Sequence, residues 1–191
     1  MRPFAAASLF LSLAVAALAQ PVIRKAPDFT ISEPSGKKTP VSSFKGKVVV
    51  VEFLYTTCPH CQKESQMLTK LYKELGPRGL QVLGVAFNDN AAVLVPSFVQ
   101  EFGVPYPIGA ASADSVMGLL GFSVMDRYVV PQVMVIDRKG NIRAQSPPQG
   151  DEKLQDETYL RNLLTNLLKE GPATSAAPAK STAKTTASAA H

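Results

Sequence analysis

The chain has 191 residues, of which 46% are hydrophobic and 18% are charged, and its formal net charge is +5 at pH 7. This balance is typical of a soluble globular protein, and it argues against a disordered chain and against a protein embedded in a membrane. Lysine and arginine form no clustered run beside aromatic residues, so we expect no nucleic-acid partner.

Both ends of the chain are predicted to lie outside the folded domain. Residues 1–19 combine the cationic Arg2, an apolar run and a terminal A-x-A pattern, which indicates a secretory signal peptide. An uncleaved membrane anchor is the alternative, because the apolar run is near the lower length limit for crossing a bilayer. Residues 171–191 contain no large apolar residue and are expected to be a disordered tail. We therefore expect one exported domain, residues 20–170, in the periplasm or cell envelope.

The first half of the domain is predicted to be a strand–helix–strand unit. Residues 47–55, KVVVVEFLY, are apolar on both alternating faces except at Glu52, which indicates a central strand of the sheet. Pro59 is expected to begin a helix that continues to Leu75, and residues 80–87 form the next strand. Two parallel strands joined by a helix form a right-handed unit.

The second half is predicted to contain further helices and an antiparallel pair of strands. Its expected elements are a helical segment at 91–102 that Pro96 must begin, kink or interrupt, a short helix at 112–120, strands at 132–137 and 141–145, and a closing helix at 155–169. The thioredoxin fold joins a parallel βαβ half to an antiparallel ββα half and places C-x-x-C after the first long strand, which is the arrangement predicted here. We predict this α/β class, with a central mixed sheet flanked by helices.

Cys58 and Cys61 are the only cysteines, and they could form a structural disulfide, part of a metal site or a redox pair. A bridge that encloses two residues removes little entropy from the unfolded chain. A closed zinc site lacks ligands, since the only histidines are His60 and His191, and haem attachment would need histidine where Gln62 stands. We expect no cofactor, although Cu(I) held by the two thiolates stays an alternative.

The redox interpretation has a physical basis in the predicted helix. With Pro59 as its first residue, Cys58 occupies the N-cap, where free backbone N–H groups and the helix dipole stabilise a thiolate. Cys58 is therefore the predicted nucleophile, and Cys61, one turn inside the helix, is predicted to resolve the mixed disulfide. Glu52 in the central strand is expected to have a raised pKa and to accept the proton that leaves Cys61.

The dithiol in this context, in the sequence CPHCQKE after an expected signal peptide, resembles the thioredoxin superfamily and its exported TlpA/ResA-type thiol-disulfide oxidoreductases. The resemblance covers residues 26–169. It implies disulfide exchange with protein substrates, such as the haem-site cysteines of apocytochromes, and a membrane or periplasmic thiol redox partner. We expect a monomer.

The resemblance also implies roles for residues near the dithiol. Glu52 matches the buried acid of thioredoxins, and Glu64, one turn after Cys61, matches an acid of ResA-like proteins. Pro131 stands where the superfamily has a cis-proline, so the backbone of Val130 is expected to pair with an extended substrate.

Three further residues flank the attacking thiol. Thr57 stands where the family usually has tryptophan, and we expect Thr57 and Pro59 to contact the substrate. His60 completes the Pro-His pair of the oxidant DsbA, whose potential is about −120 mV against about −270 mV for thioredoxin. A DsbA-like thiol oxidant is therefore an alternative to a TlpA/ResA-like reductant.

A peroxidase and a metal carrier could also use a pair of cysteines. A peroxiredoxin-like peroxidase would carry threonine three residues before the attacking cysteine, where this chain has Tyr55. A Cu(I)-binding metallochaperone would use Cys58 and Cys61 to hold the metal during transfer.

Overall fold

The structure is a computed structural model that describes residues 24–123 and 125–171. The predicted signal peptide at residues 1–19 lies outside the described residues, as does the predicted tail after Gly171. No helix within the two described ranges is long and apolar enough to cross a membrane.

Eight strands, four α-helices and two short 3-10 helices, Val41–Phe44 and Gly76–Arg78, make up the regular structure of the described residues. The strands are β1 (Arg24–Lys25), β2 (Thr30–Ser32), β3 (Lys38–Pro40), β4 (Val48–Leu54), β5 (Leu80–Ala86), β6 (Ile108–Ala110), β7 (Gln132–Ile136) and β8 (Asn141–Gln145). The helices are α1 (Pro59–Leu75), α2 (Ala91–Phe102), α3 (Ala113–Leu120) and α4 (Glu157–Lys169). The strands form one sheet in the order β1-β8-β7-β4-β5-β6-β2-β3.

The middle of the sheet contains the predicted parallel and antiparallel halves. Strand β4 pairs in parallel with β5, and helix α1 connects the two strands along the chain. On its other side β4 pairs antiparallel with β7, which in turn pairs antiparallel with β8. All seven residues of β4 are buried, because helices cover both faces of the sheet at this point. The run of valines at its start suits this setting, since β-branched side chains pack well on a pleated surface.

The two faces of the sheet form two separate cores. Val48, Val50 and Leu54 point into a core that includes residues of α1, α2 and α4. Val49, Val51 and Phe53 point into the second core, with residues of α3. Because side chains alternate along a strand, Glu52 faces α1, the helix that begins beside Cys58.

Predicted element boundaries agree with the structure to within two residues. The closing helix begins at Glu157 rather than at residue 155, because the Asp156 side chain accepts a hydrogen bond from the backbone N–H of Tyr159 and caps the helix there. Helix α2 runs through Pro96, so of the three expected effects of this proline the structure excludes two, a helix start and an interruption. A proline inside a helix removes one backbone hydrogen bond, and packing of Val95 and Phe98 in the core offsets that loss.

The sequence patterns did not predict four short strands. Strands β2 and β3 form a hairpin whose turn is closed by a hydrogen bond from the Glu33 N–H to the Lys37 carbonyl. Strand β6 joins β5 to β2, and β1 lies at the opposite edge beside β8. Strands of two or three residues are too short to show a period-2 pattern, so periodicity could not reveal them.

Candidate active site

The dithiol lies where strand β4 ends and helix α1 begins. Cys58 is the N-cap residue of the helix, with an extended backbone, and Pro59 is the first helical residue, as predicted. The Cys58 N–H donates to the Tyr55 carbonyl at 3.1 Å, and the Cys58 carbonyl accepts from the Gln62 N–H at 3.0 Å. The turn that carries the first thiol is therefore fixed by the backbone on both sides.

The two thiols are free and differ in their access to solvent. Cys58 is half-buried, whereas Cys61 is fully buried and its sulfur accepts a 3.4 Å hydrogen bond from the backbone N–H of Tyr55. Burial raises the pKa of the Cys61 thiol far above its ordinary value, and the nearby Glu52 and Cys58 raise it further. Of the two thiols, only Cys58 is accessible to solvent, and burial favours the protonated form of Cys61.

The loop before β7 lies against Cys58. The Val130–Pro131 peptide bond is cis, as the resemblance to the thioredoxin superfamily implied, and Pro131 is buried. The Cys58 sulfur lies 3.9 Å from the Val130 carbonyl oxygen, a weak contact that brings the thiol beside the backbone expected to pair with a substrate. The Val130 side chain is half-buried beside the sulfur, at the surface where a substrate would approach.

Glu52 is a fully buried carboxyl group behind the dithiol. Its two oxygens accept hydrogen bonds from the Ser65 hydroxyl at 2.8 Å and 3.1 Å, and the Tyr106 hydroxyl lies 3.4 Å from one of them. Burial raises the pKa of Glu52 well above its ordinary value, and Glu64 adds to the effect, while the two hydroxyls lower it. These contacts hold an acid in a dry site, and burial of this kind moves the pKa of a carboxyl group towards neutral pH.

Glu64 is a second buried acid on the first turns of helix α1. Its side chain is almost inaccessible, and its Oε1 atom has no hydrogen-bond partner among the described residues. Burial raises the pKa of Glu64 to about 8. The site therefore contains two carboxyl groups that favour their protonated forms, and ionisation of one opposes ionisation of the other.

Three predicted site residues lie at the surface beside the first thiol. Thr57, Pro59 and His60 are all exposed. The side chains of Thr57 and His60 make no hydrogen bond within the described ranges, which leaves them accessible to a bound chain. The structure thus brings together, around one sulfur, a surface of exposed residues and a buried pair of acids.

The sequence patterns did not reveal the residues that fix the turn before Cys58. The Asn88 side-chain oxygen, just after β5, accepts from the Thr56 N–H at 2.9 Å and lies 3.3 Å from the Thr56 hydroxyl. The Gln62 amide donates to the Thr56 carbonyl at 3.1 Å. Since Asn88 follows the strand next to β4 at the same edge of the sheet, the parallel pairing was the one signal that could have indicated this contact.

An aromatic group borders the other side of the dithiol. The Tyr55 and Tyr128 hydroxyls lie 3.0 Å apart, and the Tyr55 ring packs edge-to-face on Phe87 with centroids 4.7 Å apart. Burial and the bond to Tyr128 raise the pKa of Tyr55. Tyr55 stands where a peroxidase of the peroxiredoxin type would need a threonine, and its hydroxyl is already bonded to Tyr128.

The described residues contain no group of three or more histidine, cysteine, aspartate or glutamate side chains that could hold a metal. The dithiol therefore offers two sulfur ligands and no third ligand of these types nearby. A pair of thiolates is a donor set that suits two-coordinate Cu(I).

Comparisons with known proteins agree with this geometry. Residues 22–145 match the model of the AhpC/TSA family. The chain is 26% identical to the thiol-disulfide oxidoreductase ResA of Bacillus thuringiensis (strain Al Hakam) over 140 residues, which are 73% of this chain and 77% of the relative. It is 27% identical to ResA of Geobacillus thermodenitrificans over 118 residues, which are 62% of this chain and 64% of the relative.

The fold is also found among solved structures. A thiol:disulfide interchange protein of the thioredoxin family from Chlorobium tepidum TLS superposes with a TM-score of 0.64 at 24% sequence identity. The match covers 78% of this chain and 99% of that protein. The predicted thioredoxin fold is thereby confirmed. The chain belongs to the AhpC/TSA family, and it is a thiol-disulfide oxidoreductase similar to ResA.

Proposed function

We propose that this protein is an exported enzyme that reduces disulfides in protein substrates of the periplasm or cell envelope, acting as a monomer through the Cys58–Cys61 pair. The observation that carries the proposal is the contrast between the two thiols. One sulfur is half-buried at a helix N-terminus beside a cis-proline loop, and the other is fully buried beside the carboxyl group of Glu52.

The reaction proceeds in two displacement steps. The Cys58 thiolate attacks one sulfur of the substrate disulfide, forms a mixed disulfide and releases the other substrate sulfur as a thiolate, which takes up a proton. Cys61 then loses its proton and attacks the Cys58 sulfur, which releases the second substrate thiol. The substrate gains two electrons and two protons, and the enzyme is left with a Cys58–Cys61 disulfide.

Glu52 and Glu64 are the groups that we propose to exchange the Cys61 proton. Glu52 acts electrostatically on the Cys61 thiol, and the bond from the Ser65 hydroxyl holds its carboxyl group in one orientation. A raised pKa suits a general base, because the group can both accept and return a proton near neutral pH. Glu64 is the second acid of the buried pair, and its negative charge raises the pKa of Glu52.

The resemblance to ResA-type proteins favours the reducing direction over the DsbA-like one. An oxidant such as DsbA is strong because the thiolate of its reduced form is stabilised. Burial and a neighbouring carboxyl group disfavour such a thiolate at Cys61, so Cys58 is the one cysteine of the pair that the helix N-terminus could stabilise in this way. His60 is exposed and is proposed to contact the bound substrate rather than the buried acids.

An enzyme that donates electrons must itself be reduced after each turnover. We propose that a membrane or periplasmic thiol partner reduces the Cys58–Cys61 disulfide, and that a leader within residues 1–19 directs export. The resemblance to ResA-type proteins suggests disulfides at the haem-attachment cysteines of apocytochromes as substrates. Val130, Thr57 and Pro59 would form the surface that such an extended chain contacts.

The reduction potential of the dithiol tests this proposal. Purified protein is equilibrated with mixtures of reduced and oxidised glutathione or dithiothreitol, and the fraction of Cys58–Cys61 disulfide is measured by thiol alkylation. We expect a value of about −250 mV or lower, and a value above about −150 mV would instead indicate an oxidant. Reduction of insulin and of an oxidised C-x-x-C-H peptide, compared in parallel, distinguishes general reductase activity from a preference for haem-site cysteines.

A further inference from the structure

A hollow of about 550 Å³ lies at the end of the sheet opposite the dithiol. It is bounded by the segment after β1, the turn before β4 and the turn between β7 and β8. Val49 at the start of β4 and its cross-strand partner Ile136 both reach it. Since Cys58 follows the far end of the same strand, the hollow is separated from the dithiol by about 17 Å along β4.

The floor of the hollow is apolar. Side chains from four different segments form it: Ala26, Val41, Phe44, Val49 and Ile136. Val41, Val49 and Ile136 belong to the core on the α3 side of the sheet, and Ala26 and Phe44 pack against it, so the floor is continuous with that core. A volume of this size lies within the range typical of small-molecule pockets, which are mostly apolar with a few polar groups at defined places.

The rim of the hollow carries an excess of positive charge. Its cationic side chains are Lys25, Lys45, Lys47, Arg138 and Lys139. No carboxylate among the described residues lies within 4.0 Å of any of them, although other lysines and arginines of the chain do form such pairs. The four lysines are exposed, and the Lys47 ammonium lies 5.8 Å from the centre of the Phe44 ring, where apolar floor and charged rim meet.

The two acids of the hollow, Asp28 and Asp137, offset only part of this charge, because five cationic side chains line it. Asp137 is buried and accepts hydrogen bonds from the Lys139 backbone N–H, from Asn141 and from Arg143, so its carboxylate is fully used within the protein. Asp28 accepts a hydrogen bond from the Ser42 N–H. Arg138 donates to three backbone carbonyls, while its buried Nε has no partner within the described residues, and no anion balances its charge.

We infer that this hollow binds a free fatty-acid anion, with the acyl chain on the apolar floor and the carboxylate among the lysines of the rim. Both halves of the ligand are needed to match both features. A small anion leaves the floor exposed to water, and a neutral apolar molecule leaves the cations without a counter-ion. The site is concave, whereas a membrane surface is flat and would contact the exposed lysines without filling the hollow. Binding there leaves the surface around Cys58 free.

Calorimetric titration of the full chain with laurate, below its critical micelle concentration, tests the inference. We expect saturable binding of one laurate per chain, which weakens as salt is added because the charges of ligand and rim are screened. Acetate, which lacks the acyl chain, and dodecyl maltoside, which lacks the charge, are each expected to bind at least about tenfold more weakly. Equal binding of acetate, or of dodecyl maltoside, would overturn the inference.

Substitutions locate the site. The double variant Lys47→Gln/Lys139→Gln is expected to lose at least about tenfold in laurate affinity, whereas Lys37→Gln/Lys153→Gln, which removes the same charge elsewhere, is expected to keep it within about twofold. Backbone amide shifts on laurate addition should be largest at Gly46, Val49 and Gly140. The inference would be contradicted if laurate shows no saturable binding, if the first variant keeps the affinity of the wild type, or if the amide shifts are largest elsewhere in the chain. So would co-sedimentation with phosphatidylglycerol vesicles in the absence of laurate binding, since it would indicate a membrane contact instead.

Discussion

The Ser65 hydroxyl lies 2.8 Å and 3.1 Å from the two carboxyl oxygens of Glu52, in a part of the core where both residues are fully buried. Ser65 is one helical turn after Cys61 on α1, and Glu52 is in β4, the strand that leads to the dithiol. The helix that carries both cysteines therefore also carries the residue that fixes the buried acid. Position and protonation of Glu52 are linked to the active-site helix through this one contact.

Replacing Ser65 by alanine is expected to raise the pKa of Glu52 still further, because the hydroxyl is the larger of the two hydrogen-bonding influences that favour its ionised form. Carbon-detected NMR of labelled glutamate carboxyls measures this pKa directly. The variant should also lose about 1 kcal/mol of unfolding free energy. Thr69→Val, one turn further along the same helix and likewise buried, is the control, and an equal shift of the Glu52 pKa in both variants would contradict the assignment.

Glu64→Gln is expected to make stability less dependent on pH in the alkaline range. Burial raises the folded-state pKa of Glu64 to about 8 from an ordinary value of 4.5, so the folded state holds a proton that the unfolded state releases between these values. Stability from this group is present below the unfolded-state pKa and is lost as pH rises through the folded-state pKa.

Urea unfolding at pH 5 and at pH 9 checks this prediction. The wild type should lose more unfolding free energy between the two pH values than Glu64→Gln, by a difference on the order of 1 kcal/mol or more. Glu101→Gln, at an exposed position of α2, should behave like the wild type. If Glu64→Gln and the wild type lose the same amount, Glu64 is already ionised in the folded protein at pH 5.

Glu52→Gln is expected to slow the second step of the reaction, in which Cys61 displaces the substrate from Cys58. Glutamine can still accept a hydrogen bond from Ser65 but cannot take up a proton, so resolution of the mixed disulfide should slow by about a hundredfold. Single-turnover release of a fluorescent peptide from Cys58 measures this step. The rate of the first attack by Cys58 should change much less, and a variant that resolves within about twofold of the wild type would exclude Glu52 as the proton acceptor.

Asn88 is expected to position the turn that carries Cys58. Asn88→Ala leaves the Thr56 N–H, two residues before Cys58, without its acceptor, at a cost of about 1–3 kcal/mol in unfolding free energy. Disulfide exchange by Cys58 should slow as the turn loosens. Asn88→Asp keeps an acceptor oxygen and should restore the exchange rate, so a loss of rate that aspartate does not restore would argue for a different role.

The sequence was sufficient to predict the elements whose patterns are long or chemically distinctive. The valine run of β4, the Pro59 start of α1 and the leucines of α4 define their elements because burial and helix-start chemistry leave few possibilities. The cis geometry before β7 followed from the resemblance to a known superfamily. The short strands β2, β3 and β6 form because neighbouring strands pair with them. Their sequences do not reveal them, since three residues are too few to show a periodic pattern.

The same distinction applies to the site. Cys58 and Cys61 were predicted from their spacing, and Glu52 from a charge in an otherwise apolar strand. Ser65, Tyr106 and Asn88 contact the site through tertiary structure, and each is a common polar residue with no local pattern around it. Contacts of this kind depend on which helix and strand come together, so they emerge only when the fold is known.

Trapping of the mixed disulfide tests the division of roles between the two cysteines most directly. Cys61→Ser and Cys58→Ser are each incubated with an oxidised protein substrate, and covalent complexes are separated on non-reducing gels and identified by mass spectrometry. Cys61→Ser should accumulate a stable complex through Cys58, because the first attack can occur but the resolving thiol is absent. Cys58→Ser should form none, since Cys61 is fully buried, and a complex through Cys61 that forms as fast as the one through Cys58 would contradict the account.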